Sequence, residues 1–309
     1  MSEPTPPMPP TPPLPPLPPT TPVPSMASVP SMAPRNVPAL LAQLLTEDFT
    51  GAVEVSGAPG GTIHLRRGLV VAVDTPNAPS VETLLIRSGR VDEDGWAGAV
   101  SRRAAAVAEG MDGDGNLNTV LTELGLVGHG ELEAVCIAAV YDAAFAMALN
   151  PAEGWTVHEG SVQPELAAWP GESPRTLADE TARRIAALSR SWGSLAELAA
   201  ARCRPATRVE AGSLTARQQA VLLAANGRRT PRDIAFFLGC GVYPAMLDIA
   251  RLRARRLVEW EAPRAVAALP ITARRATPAD GRPDYRGELP RRVPRDPSGS
   301  GTTPGSASL

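Results

Sequence analysis

The chain has 309 residues and a net charge of −2, with 34 Pro, 27 Gly and 3 Cys. The small net charge conceals an asymmetry: residues 35–165 hold 7 Arg against 18 acids, residues 166–309 hold 23 Arg against 13 acids, and there is no Lys. An acidic first half argues against nucleic acid there, a basic second half permits it, and no window approaches the roughly 18 apolar residues of a membrane span. Cys136, Cys203 and Cys240 lie far apart with no His at ligand spacing. They read as free thiols in a reducing compartment, not as a disulfide framework or a metal site. The start, MSEPTPPMPP, has neither a basic nor an apolar signal region, so the expected location is cytoplasmic.

Residues 1–36 form a Pro-rich arm with repeated Pro-Pro-x-Pro, which favours an extended polyproline conformation and buries no core. The stretch from 37 to 74 organises the rest of the chain. Leu40, Leu41, Leu44 and Leu45 share one face of a short helix. Phe49, Gly51, Val53 and Val55 alternate with Thr50, Ala52 and Glu54, and Ile63 and Leu65 alternate with Thr62, His64 and Arg66. The run from Leu69 to Val73 is apolar throughout, as a strand covered on both faces would be. Gly57 to Gly61 and the Arg67-Gly68 corner offer positive-φ residues for hairpin turns, so the three strands are expected to be antiparallel and roofed by helices.

The order helix, Phe-Thr-Gly-x-Val-x-Val, then Gly61-x-Ile63-x-Leu65-x-x-Gly68-x-Val70-x-Ala72, resembles the PATAN domain, the N-terminal domain of PatA-type bacterial response regulators. The resemblance covers roughly 37–160. It implies a bacterial signalling module that binds partner proteins, in the company of receiver-domain or small-GTPase systems, and it carries no catalytic residues. A weak repeat comes next: Thr83-x-Leu85-x-x-x-Gly89-x-Val91 returns as Thr119-x-Leu121-x-x-x-Gly125-x-Val127, with Trp96 and Leu132 equivalent in the next helices. Each copy reads as a helix, a left-handed Gly, a turn and a second helix. The second copy runs into an amphipathic helix over 131–149, and Trp155 to His158 reads as a strand returning to the sheet edge.

Residues 161–204 link this part to the next and contain a helical stretch over 173–200, opened by Ser173-Pro174 and split at Gly193. Residues 205–262 have winged-helix spacing: helices over 214–225, 230–238 and 244–256, then a strand over 257–260. The expected core is Leu214, Val221, Leu222, Ile234, Leu238, Ile249, Leu252 and Leu257. Residues 263–309, rich in Arg, Pro, Gly and Ser without period, read as a disordered tail. The fold class is therefore α+β: a small antiparallel meander packed with helices, followed by a mainly α winged-helix-like domain.

Two arginine groups are candidate contacts in the winged helix. Arg228, Arg229 and Arg232 precede and enter its second helix, while Arg251, Arg253, Arg255 and Arg256 lie late in its third, Arg251 and Arg255 on one face. They could meet phosphates without reading sequence; a solvated basic face is the plainer reading. At the start of the third helix, where base-reading side chains sit in DNA-binding versions, only Tyr243 offers a hydrogen bond, and Asp248 would bring negative charge toward phosphates. In the first half, Arg66 and Arg67 form a cationic hairpin tip on an acidic domain and could dock an acidic partner, or be an ordinary polar turn.

Other patterns carry less. Asp112-Gly-Asp114-Gly-Asn116 with Glu123 imitates calcium-loop spacing, but Leu117 stands where the sharp turn needs Gly, so a linker whose Asn116 or Asn118 caps the next helix is expected. The helix pairs also resemble the cyclic-dinucleotide-binding domains of secretion ATPases. Glu82-Thr83-Leu84 and Leu117-Asn118-Thr119 replace that family's Arg-Leu-Gly, and its closing Gln has no counterpart. His64, His129 and His158 are isolated, at a surface strand position, a helix start and a late strand; Asp92, Glu93 and Asp94 open a helix. No catalytic residue, cofactor or metal site is expected. The favoured function is a non-enzymatic cytoplasmic signalling adaptor, with protein partners and no membrane; the alternative is a DNA-binding transcriptional regulator acting through the winged helix.

Overall fold

Asn36 starts the first helix, its Oδ1 accepting the Ala39 N–H at 2.9 Å. That helix, α1 (Val37–Thr46), buries Leu40, Leu41 and Leu44. Here the protein is a computed structural model that describes residues 36–109, 116–160, 164–207 and 214–261. The Pro-rich arm before Asn36, the Asp112 to Asp114 half of the acidic loop, the wing after Glu261 and the C-terminal tail lie outside the described residues.

Three strands come next, β1 (Gly51–Ser56), β2 (Gly61–Arg66) and β3 (Leu69–Asp74), all antiparallel neighbours. The β2–β3 turn holds two consecutive left-handed residues, Arg67 at φ 50° and Gly68 at φ 72°, which matches the right-handed twist of the paired strands. In the β1–β2 connection the expected positive φ is taken by Gly57, at 158°. Gly60 and Gly61 do not take positive φ; Gly60 is small because a Cβ there would lie 2.2 Å from the Val55 carbonyl oxygen.

Two helix pairs then build the roof. In the first, α2 (Val81–Arg87) is closed by Gly89 at φ 72° before α3 (Glu93–Ala108). In the second, α4 (Leu117–Glu123) is closed by Gly125 at φ 67° before α5 (His129–Ala148). The equivalent positions Trp96 and Leu132 are both buried. Asp92 caps α3 and Asn116 caps α4, so the acidic residues near 92 are helix-start residues, as expected. The next strand, β4 (Gly154–Glu159), returns antiparallel to β1 and completes a four-stranded sheet in the order β3-β2-β1-β4. Helix α5 crosses the inner face of this sheet against β3.

Beyond the sheet, α6 (Pro174–Trp192) starts at Ser173, ends at Gly193 (φ 96°), and gives way to α7 (Leu195–Ala200). A short strand the sequence did not announce, β5 (Arg202–Pro205), precedes α8 (Ala216–Ala224), α9 (Pro231–Leu238) and α10 (Val242–Ala254). The strand β6 (Val258–Glu261) then pairs antiparallel with β5. Four residues are too few for a period-2 signal, and Arg202-Cys203-Arg204-Pro205 has one buried side chain, Cys203. Of the expected winged-helix core, Val221, Ile234, Ile249, Leu252 and Leu257 are buried, and Leu214, Leu222 and Leu238 are partly covered. The fold is α+β, with a four-stranded antiparallel sheet and helices, followed by the three-helix, two-strand unit.

Among the described residues both halves share one hydrophobic core and one compact unit. Helix α10 packs on α5 and α6 as well as on α8 and α9. Trp192 of α6 meets Trp260 of β6 at 5.3 Å between ring centroids, with the Arg253 guanidinium 4.1 Å from the Trp192 ring.

One expectation fails outright: His64 is not a surface residue but 6 % exposed. Its cross-strand neighbours are Ala52 and Ala72, both buried, so the centre of the outer sheet face is enclosed. The ring reaches Asp74 Oδ2 at 3.0 Å, a diagonal cross-strand contact, since His64 stands opposite Ala72 and Asp74 opposite Thr62.

Candidate functional site

Of the ten described helices, eight begin with a side-chain cap of their own; α5 and α10 begin at Gly128 and Gly241 and have none. For α10 the cap comes from a hundred residues upstream. Asp142 of α5 is 4 % exposed, and its Oδ2 and Oδ1 accept the Val242 N–H at 2.6 Å and the Tyr243 N–H at 2.8 Å. A carboxylate at a helix amino end satisfies orphan donors and the positive end of the macrodipole together. Gly241 makes the approach possible, since a Cβ there would stand 2.7 Å from Asp142 Oδ1. Burial pushes the Asp142 carboxyl above its ordinary value, opposed by the two N–H donors and by the Arg184 charge.

The consequence for nucleic acid is geometric. The first turn of α10 is the part that would meet base edges, and it packs toward α5, with Tyr243 and Pro244 only half-buried. Val242, Ala245 and Met246 are buried. Tyr243 packs edge-on against Phe145 at 5.3 Å, with the Arg184 guanidinium 4.9 Å from its ring. Asp248 does not project toward any phosphate path. It is 1 % exposed and pairs with Arg217 at 2.5 Å and Arg251 at 3.6 Å, because a buried carboxylate must find cations.

The arginines singled out from sequence are dispersed by these contacts. Arg232 donates to the Pro76 carbonyl at 2.6 and 3.1 Å and so ties α9 to the loop after β3. Arg229 donates to the Ala224 carbonyl at 3.3 Å and stacks on Phe237 at 3.8 Å. Arg253 lies against the Trp192–Trp260 pair. Arg228, Arg251, Arg255 and Arg256 are exposed. Arg256 adopts φ 58° just before the last strand, the place where the winged-helix pattern has Gly.

At the other candidate, the hairpin tip, the structure adds a residue that sequence reasoning missed. Arg66 stands over the ring of Trp169 at 4.2 Å, and Trp169 is 54 % exposed. Arg67 is exposed beside them at the turn, its N–H held by Thr50 Oγ1 at 3.0 Å. Trp169 is brought there by a segment that runs along β3. The Ala168 N–H donates to the Val71 carbonyl, Val70 and Glu172 exchange two backbone bonds of 2.8 Å, and the Asn118 side chain grips both backbone polar groups of Ala167. Next to Trp169 this segment and α5 enclose a cleft of about 330 Å³ whose lining includes Glu133, Ile137 and Glu172. An exposed Trp and two Arg, one at the end of β2 and one in the turn after it, have the composition of an interface anchor. The sequence signals it only by one Trp in a stretch that reads as linker.

The cysteines are poor nucleophiles. Burial pushes Cys136, Cys203 and Cys240 each up to about 11. Asn116, not Asn118, caps α4. His129 is the first residue of α5, and His158, on β4, is 3.3 Å from Glu54. Among the described residues no cluster of three or more His, Cys, Asp or Glu has metal-holding geometry. Comparison with protein-family models, with curated proteins and with solved structures returns no match for this chain.

Proposed function

We propose that this chain is a non-enzymatic bacterial signalling adaptor that binds a partner protein through its first, PATAN-like half, using the hairpin tip of Arg66, Arg67 and Trp169. The observation that carries the reading is Trp169, more than half exposed yet held by the Arg66 guanidinium. An exposed, pre-ordered Trp–Arg pair loses little side-chain freedom on binding and supplies a large contact area. The two cations favour a partner with an acidic surface, and the family resemblance suggests a receiver-domain or small-GTPase system. In this reading the winged helix is a scaffold whose α10 is closed at its amino end by Asp142.

The second reading is a transcriptional regulator that touches DNA through the winged helix. In its favour stand the exposed Arg228, Arg251 and Arg255. With Val242 and Ala245 of the first turn of α10 buried, such contact would be to phosphates alone and would not discriminate sequences.

The test is affinity capture from native lysate by the full chain, with Trp169→Ala and Arg66→Ala/Arg67→Ala run beside it. The adaptor reading expects a protein recovered by the wild type at low salt and reduced at least about tenfold by either variant, since anchor residues carry most interface energy. Identical recovery by all three chains, or recovery of nucleic acid alone, overturns it.

A further inference from the structure

An open apolar groove of about 360 Å³ lies between α1, the inner face of the sheet, the end of α5 and the start of α6. Val55 and Ile63 form its floor, both buried. The space exists because the two helices that flank it present alanines one turn apart, Ala144 and Ala148 on α5 and Ala178 and Ala182 on α6. Larger residues at these places would close the gap; Ala148 and Ala182 are exposed at its edge. Among the described residues no charged side chain lines it; the polar groups there are uncharged, from Asn36, Asn150 and Thr181. Asn36 and Asn150 are exposed and stand at the mouth.

We propose that this groove binds a neutral amphiphile, an aliphatic chain of about ten to twelve carbons carrying an uncharged hydrogen-bonding head. The size follows from proportion. An apolar cavity of about 150 Å³ takes benzene, six heavy atoms, so the same filling puts roughly 14 heavy atoms in this one. The chain lies on Val55 and Ile63 between the alanines, and the head meets the Asn36 and Asn150 amides. Charge selects against the commoner lipophiles: a carboxylate or an ammonium would lose water at a mouth that offers no counter-ion among the described residues. Residues 1–35 join the chain at Asn36, on the same rim, and are the rival occupant.

The experiment uses the full chain and the neutral dye N-phenyl-1-naphthylamine, displaced in turn by 1-alkanols, decanoate and decylammonium. Decanol is expected to compete, with affinity rising about fourfold per methylene from hexanol to decanol and levelling beyond about twelve carbons. The two charged decyl compounds are expected to be at least about tenfold weaker. Ala178→Leu and Ala182→Phe fill the groove and should abolish decanol binding while leaving the thermal midpoint unchanged or raised, which separates loss of the site from loss of the fold. Absence of saturable dye binding, equal competition by the charged compounds, or unchanged binding in the filled variants overturns the proposal. So does decanol binding that appears only after residues 2–35 are removed, which would give the groove to the arm.

Discussion

Replacing Asp142 by Ala tests how firmly the two halves of the chain are joined. The change removes two hydrogen bonds, of 2.6 and 2.8 Å, and leaves the Val242 and Tyr243 N–H groups without their acceptor inside the protein. Bonds to a charged group contribute about 1.5–3 kcal/mol each, and a stranded buried donor costs about 1–3 kcal/mol. Against this stands the cost of burying the carboxylate, visible in its raised pKa. The balance is a loss of about 2–4 kcal/mol, a large part of the roughly 5–15 kcal/mol typical of a whole domain. Asp142→Asn keeps one acceptor and should lose about half as much. The sign of the pH dependence is fixed by the direction of the shift. The folded protein holds the Asp142 proton more tightly than the unfolded chain, so this group's contribution to stability falls as pH rises above the ordinary value of 3.8. The gap between wild type and Asp142→Asn should therefore narrow as pH is raised through that window. Urea unfolding followed by circular dichroism gives the free energies, and amide exchange at Val242 and Tyr243 reports the site itself. An Ala variant within about 0.5 kcal/mol of wild type, with unchanged exchange at both amides, would show that Asp142 does not hold the start of α10.

Glu180 is held down to about 2, first by its hydrogen bond to Arg183 and also by Arg184. Its contribution is present above the ordinary value of 4.5 and is lost as pH falls toward 2, so acid unfolding of Glu180→Gln should be less steep over that range. Asn118→Ala releases the Ala167 backbone from bonds of 3.0 and 3.1 Å; a loss of about 1–2 kcal/mol and faster exchange of the Ala167 amide are expected. In Gly239→Ala a Cβ would stand 2.6 Å from Arg87 Cβ, at a residue with φ 61°. The expected cost in chemical denaturation is about 1–3 kcal/mol, through the α2–α9 contact.

The meander was legible because three signals agreed over 49–73: period-2 alternation, two glycine-bearing turns and an apolar third strand. The helix pairs were legible because Gly89 and Gly125 occupy the same place in each repeat and both take positive φ. What the sequence concealed was long-range. Asp142 sits within an otherwise apolar helix face, and only a partner a hundred residues away explains it. Asp248 reads as surface charge until Arg217, 31 residues earlier, is seen to cover it. Trp169 has no local pattern at all, and its place over Arg66 depends on the Asn118 bonds that steer residues 166–172 along β3. His64 failed for a related reason. Alternation assigned it to the solvent side of β2, but Ala52 and Ala72 make the centre of that face an enclosed one.

The measurement that separates an adaptor from a DNA-binding regulator most directly is a polarisation titration of the full chain on labelled duplex DNA, from low to physiological salt. With Val242 and Ala245 of the first turn of α10 buried against α5, the expected result is no binding tighter than the roughly 10⁻⁴ to 10⁻⁶ M of non-specific contact at physiological salt, for any sequence. Nanomolar, sequence-selective binding, with log affinity falling by about 0.9 per phosphate contact for each tenfold rise in salt, would contradict it.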